Sequence, residues 1–101
     1  MLCREMLVDS HCHLDFPEFE PELDAVVARA RAAGVGTMLT ISTHLSRFER
    51  VRAIAERFDG VYCTVGVHPH EAAREGGMSV EALTRLAEHP KVIGFGETGL
   101  D

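Results

Sequence analysis

Met6-Leu7-Val8-Asp9-Ser10-His11-Cys12-His13-Leu14-Asp15 decides how this chain is read. A short apolar run leads straight into a His-x-His pair. Side chains alternate faces along an extended chain, so His11 and His13 point one way and Cys12 the other. Two neutral imidazoles on one face at the end of a buried strand can hold one divalent metal. The simpler alternative is that both only bond to nearby backbone. Asp9 and Asp15 share the histidines' parity if the strand stays regular, with Asp15 placed beyond its end.

The same order, strand then helix, continues outward from this stretch. Phe16-Pro17-Glu18-Phe19-Glu20 reads as a loop, and Pro21 suits a first helical turn. Leu23, Val26, Val27, Ala30 and Ala33 recur at helical spacing, with Gly34 as the C-terminal stop. The acids Glu22 and Asp24 stand early and Arg29 and Arg31 late, in line with the helix dipole.

A second strand, Thr37 to Ile41, is followed by a helix capped by one of the residues from Ser42 to Ser46. Its apolar stripe is Leu45, Phe48, Val51, Ile54, Ala55 and Phe58. Arg47, Glu49, Arg50, Arg52, Glu56 and Arg57 form a solvated face that needs no partner. Asp59-Gly60 turns into a third strand, Val61 to Val67, ending in His68-Pro69-His70. Proline holds His68 extended. After a break at Gly76-Gly77, Ser79 caps a helix over 80–88 whose buried side is Ala82, Leu83, Leu86 and Ala87. A fourth strand, Val92 to Gly96, runs into Glu97.

Strands spaced in this way form βαβ units around a parallel sheet, giving an α/β fold with three intervening helical segments. Chemistry in such folds gathers at the carboxyl ends of the strands. Metal-competent side chains follow strands one, three and four: His11 and His13, then His68, then Glu97. Taken alone, Glu97 would cap a turn or pair with an arginine. His44 and His89 lack a partner pattern and read as surface or capping groups, and His70 as bonding within its loop.

The chain has 101 residues, 46% of them hydrophobic, enough for one small domain. Its formal charge of −6 provides no basic footprint for wrapping a duplex, so an anionic substrate needs a local positive centre such as a metal. Three cysteines without close pairs argue against a disulfide framework or a zinc ribbon. Cys63 reads as a small buried hydrophobe. No apolar run approaches the ~20 residues of a membrane span, and residues 1–5 are too short and mixed for a secretory signal. The expected compartment is the cytoplasm. Residues 1–5 read as an extension before a start at Met6, and 6–101 as one unit.

Three stretches together resemble the TatD family of metal-dependent deoxyribonucleases: 9–15, Gly66-Val67-His68-Pro69-His70, and Gly96-Glu97-Thr98-Gly99-Leu100-Asp101. The resemblance implies an amidohydrolase-like (β/α)8 TIM barrel of which this chain holds the first half, since a whole barrel takes about 250 residues. It further implies hydrolysis of phosphodiester bonds, with DNA as substrate, by two divalent ions (magnesium, manganese or zinc). His11 and His13 correspond to the first pair of metal ligands, Glu97 to the bridging carboxylate, and His68 to a histidine lining the phosphate site.

The remaining ligands and the water-activating aspartate have no counterpart in these residues, so the catalytic group is expected in the second half. The isolated chain is therefore expected to be inactive, with two open sheet edges, an apolar inner face and a tendency to self-associate. No other protein partner is evident. Two other readings remain: a C–N or ester hydrolase of the amidohydrolase type, and a non-catalytic fragment. The first is disfavoured because Glu97 stands where many of those enzymes carry a carbamylated lysine, and Lys91 opens the strand at its far end.

Overall fold

The computed structural model describes residues 7–75 and 79–99. The proposed extension, Met6, the Gly76-Gly77 break and Leu100-Asp101 lie outside them. Strands β1 (Leu7–Cys12), β2 (Val35–Thr40), β3 (Val61–Val65) and β4 (Val92–Phe95) form one sheet in the order β1-β2-β3-β4. Every neighbouring pair is parallel. Parallel neighbours need long crossovers, supplied here by α1 (Leu23–Ala32), by α2 (Phe48–Arg57), and by α3 (Ala72–Glu75) with α4 (Val80–Leu86). Strands in sequence order, the first three each followed by helix, give the first half of a (β/α)8 barrel.

The core lies between the sheet and its helices. Val61, Cys63 and Val65 alternate onto the helix side of β3 and are fully buried. They meet Phe48, Val51, Ile54 and Ala55 from α2, and Leu23 and Val27 from α1. The opposite face is uncovered toward the edges. Ile93 and Phe95 are each 58% exposed although Val92 between sheet and helix is buried, so the expected apolar inner face is present.

Several local expectations are corrected. β1 is not a buried strand: five of its six residues are exposed, because it is a sheet edge. The stretch expected as a loop forms a 3-10 helix, Pro17–Glu22, and α1 begins only at Leu23. Prolines at 17 and 21 fix φ and remove donors, which a short i→i+3 turn tolerates. A second 3-10 turn, Leu45–Arg47, leads into α2, and neither it nor α2 has a side-chain cap bond at its N-cap residue, His44 or Arg47. Ser79 does cap α4, accepting from Ala82 N at 3.1 Å. Gly34 follows Ala33, the C-cap residue of α1, with φ of 101°, the left-handed stop that glycine favours.

Candidate metal centre

His11 near the end of β1 and His13 just past it stand at the carboxyl end of the sheet, where the chain leaving β4 delivers Glu97. His11 Nε2 lies 3.3 Å and His13 Nε2 3.5 Å from the same oxygen, Glu97 Oε2. His68 Nε2 lies 3.6 Å from the other, Oε1. Three imidazoles thus surround one carboxylate. His11, His13 and Glu97 each offer a donor atom within 4.8 Å of the others, the only such group of three among the described residues.

The distances bear on how these groups can be used. Charge-assisted hydrogen bonds between these groups would run about 2.7–2.9 Å, and all three contacts are longer. A tetrahedral ion with ligands at about 2.1 Å sets them roughly 3.4 Å apart. The two contacts to Oε2, at 3.3 and 3.5 Å, leave the three donor atoms spaced widely enough to accept an ion among them.

Ring tautomers separate the histidines. His13 Nδ1 lies 3.2 Å from the Ile41 carbonyl, which can only accept. In a neutral ring Nδ1 therefore carries the hydrogen, and Nε2 turns a lone pair toward Glu97. A lone pair at that position is available to a metal ion. His68 is the reverse: its Nδ1 accepts from His70 N at 3.0 Å, which leaves the hydrogen on Nε2. That nitrogen is a donor, suited to an anion and unsuited to a metal. The His13 ring is also stacked on Phe16, with centroids 4.7 Å apart and planes at 12°.

Backbone ties hold Glu97 in place. Its N–H donates to Ser42 O at 2.8 Å. Thr64 Oγ1 donates to Gly96 O at 2.8 Å and accepts from Ser42 N at 3.0 Å. Close approach also requires Gly66, where a Cβ would stand 2.7 Å from Glu97 O and from Gly96 C and O. Because those neighbours are backbone, Gly66→Ala must push the β4 turn away. Overpacking of this kind costs about 1–3 kcal/mol. At roughly 4–8 °C per kcal/mol for a domain of this size, a thermal melt should show a lower Tm by at least several degrees.

The structure brings together His11, His13, His68 and Glu97, and leaves the other candidates apart. Glu97 pairs with no arginine among the described residues. Asp9 Oδ1 accepts from His11 N at 3.1 Å, a backbone tie. Asp15 does not follow the histidines' parity: it is 1% exposed, with Oδ2 3.6 Å from Arg47 Nε. The strand ends at Cys12, and the turn beyond it redirects Asp15 inward. Cys12 faces away as expected, donating to Leu39 O at 3.4 Å. Burial, with Asp9 and Asp15 adding to it, pushes its thiol up to about 12. It stays protonated at neutral pH and offers no thiolate to a metal. Cys63 is fully buried, as a core residue should be.

His44 and His89 have partners that their sequence context did not signal. His44 bridges Thr43 Oγ1 (2.8 Å) and Glu71 Oε1 (3.4 Å), and His89 Nε2 lies 2.7 Å from Glu56 Oε2. Arg47 and Arg50, assigned from sequence to a solvated face, instead reach the turn that carries His13. Arg47 Nη2 and Arg50 Nε donate to Asp15 O at 2.7 and 3.1 Å.

Comparison with known proteins gives a consistent picture. A family profile described as TatD related DNase matches residues 8–101. The chain is 39% identical to "Uncharacterized metal-dependent hydrolase YjjV" of Escherichia coli K12, across all of this chain and 39% of that protein. It is 40% identical to "3'-5' ssDNA/RNA exonuclease TatD" of Cronobacter turicensis, across 94% of this chain and 36% of that one. The crystal structure of YjjV, described as a TatD homolog, superposes with a TM-score of 0.84 over all of this chain and 39% of its own. The chain spans about two fifths of the length of the relatives it matches.

Proposed function

The chain belongs to the TatD-related DNase family, and from that premise we propose that it binds divalent metal through His11, His13 and Glu97 and serves hydrolysis of phosphodiester bonds in nucleic acid. The observation that carries this reading is the carboxylate of Glu97. Its Oε2 is spaced from two imidazoles as ligands are spaced, and its Oε1 faces the N–H of a third. With Oε2 on the His11–His13 side and Oε1 3.6 Å from His68 Nε2, too long for a hydrogen bond, Glu97 is the residue that would hold a second ion if one binds. Two nitrogens and one oxygen suit zinc or manganese better than magnesium, which prefers oxygen alone.

A bound divalent ion supplies Lewis acidity toward a phosphoryl oxygen and lowers the pKa of water. The residues of this chain do the rest. His13 is held in the tautomer that ligates, and His68 presents its Nε2–H to a non-bridging phosphate oxygen. The relatives named as exonucleases act on single-stranded DNA or RNA, and single-stranded nucleic acid is the substrate class we assign here. A carbamylated-lysine hydrolase is disfavoured: Lys91 Nζ donates to Phe58 O and Val61 O at 3.1 and 2.7 Å, at the opposite end of the sheet.

The test has two parts. The 101-residue chain should bind Mn2+ in a paramagnetic titration but leave a labelled single-stranded oligonucleotide intact with magnesium, manganese or zinc. Fused to the C-terminal three fifths of the E. coli relative, it should release nucleotides in an EDTA-sensitive reaction. A fusion that cleaves lactones or amides but no oligonucleotide would overturn the substrate assignment.

A further inference from the structure

The metal-binding pair sits on an edge strand, and edge strands are poorly held. His11 has a side chain 56% exposed, and the five residues before Cys12 are all open. Burial of β1 therefore does not hold the backbone that carries His13. The turn after it does. Leu14 N donates to buried Thr40 Oγ1 at 3.1 Å. Asp15 O then accepts from two arginines at once, Arg47 and Arg50. Its carboxylate is buried, with Oδ2 3.6 Å from Arg47 Nε and Oδ1 lacking a hydrogen-bond partner among the described residues.

Both arginines stand at the wrong end of a helix. Arg47 is the N-cap residue of α2 and Arg50 lies in its first turn. The helix dipole makes this end positive, so acids are favoured there and cations are not. A local preference broken twice on one turn indicates a compensating role elsewhere. The compensation visible here is the Asp15 carbonyl and carboxylate, two residues after His13. Arg52 and Arg57, further along α2, keep to surface partners, Glu56 and Asp24.

We propose that Arg47 and Arg50 are positioning residues for the metal-binding pair, fixing the His13 ring through Asp15. The proposal rests on the reading of His13 as a metal ligand. The arginines clamp the backbone of the turn, and the clamped turn keeps His13 Nδ1 against Ile41 O and its ring against Phe16. Nε2 is thereby left as the ligand nitrogen before any ion arrives. The metal affinity of β1 is set from α2, across the sheet edge.

Two readouts on the 101-residue chain test this, each on variants shown by circular dichroism to be folded. One is Mn2+ affinity; the other is the 15N pattern of the His13 ring in the metal-free chain, which reports its tautomer. Arg47→Ala and Arg50→Ala should each weaken Mn2+ binding by ~10–100-fold, as loss of outer partners of a ligand does. The His13 ring should lose its single-tautomer pattern in the same variants. Glu20→Gln, which removes the other partner of Arg50 (3.1 Å), and Arg57→Ala should change neither. If Arg47→Ala fails to fold, Arg50→Ala decides, since it leaves the buried Arg47–Asp15 pair in place.

A folded Arg50→Ala chain with unchanged affinity overturns the clamp alone. Weakened affinity with an unchanged His13 tautomer also overturns it, because the arginines would then act by another route. A wild-type chain that binds no Mn2+ removes the metal reading itself, and the clamp with it.

Discussion

Glu97→Gln removes Mn2+ binding by the chain, lowering affinity by more than ~100-fold, while leaving its circular dichroism spectrum intact. An amide is nearly the same size as a carboxylate but carries no charge and turns an NH2 toward one side. His11 and His13 both address Oε2, so the substitution removes the anion shared by the two imidazoles. Hard divalent ions favour anionic oxygen, and two neutral imidazoles alone form a much weaker site. The fold should not suffer, because Glu97 is tied down through its backbone N–H to Ser42 O and the ion pairs of its side chain among the described residues are with imidazoles. A Glu97→Gln chain that still takes up Mn2+ with wild-type affinity would show that the carboxylate has only an architectural role.

Phe48→Ala should produce the largest loss of stability. Phe48 opens α2, is 2% exposed, and is the largest of the fully buried side chains. It packs in the cluster that joins α2 to β3 and α1. Truncating a buried phenylalanine costs about 3–5 kcal/mol, counting both transfer and the cavity left behind. Total stability for a domain is only about 5–15 kcal/mol, and this sheet leaves apolar surface open at both edges. With a urea slope of about 2 kcal/mol/M, the midpoint should fall by roughly 2 M. Alanine at exposed Phe95 should shift it by a small fraction of that. Equal shifts at the two positions would mean that the core does not lie where burial puts it.

The element order was legible in the sequence because period-two and period-3.6 patterns alternate cleanly, and four parallel strands follow from them. That His11, His13 and Glu97 would meet was legible for the same reason: His11 lies near the end of β1, His13 and Glu97 stand just past strand ends, and a parallel sheet brings those ends to one side. Parity failed at Asp15, where the chain had already left β1 and turned. The role of Arg47 and Arg50 was hidden because their partner lies more than thirty residues away, and a run of charges on a helix looks the same whether or not one end of it is engaged. A signal was nonetheless present, since two arginines at a helix N-terminus oppose the dipole. The exposure of β1 follows from its place at an edge of the sheet, which the expected open edges had anticipated, although the apolar lead Leu7-Val8 alone reads as the start of a buried strand.

In the sheet, β1 and β4 are the two outermost strands. In a flat sheet three strand spacings would hold them roughly 14 Å apart, yet His11 and Glu97 come within 3.3 Å. Nearly the entire chain lies between those two side chains. An ion held there would act as a clasp across the open sheet, stitching its first strand to its last and resisting any flattening. Such an ion binds the native state and not the unfolded one, so at a hundredfold excess over Kd it adds about 2.7 kcal/mol. Its arrival must come late in folding, because the clasp has no second half until β4 has docked on β3.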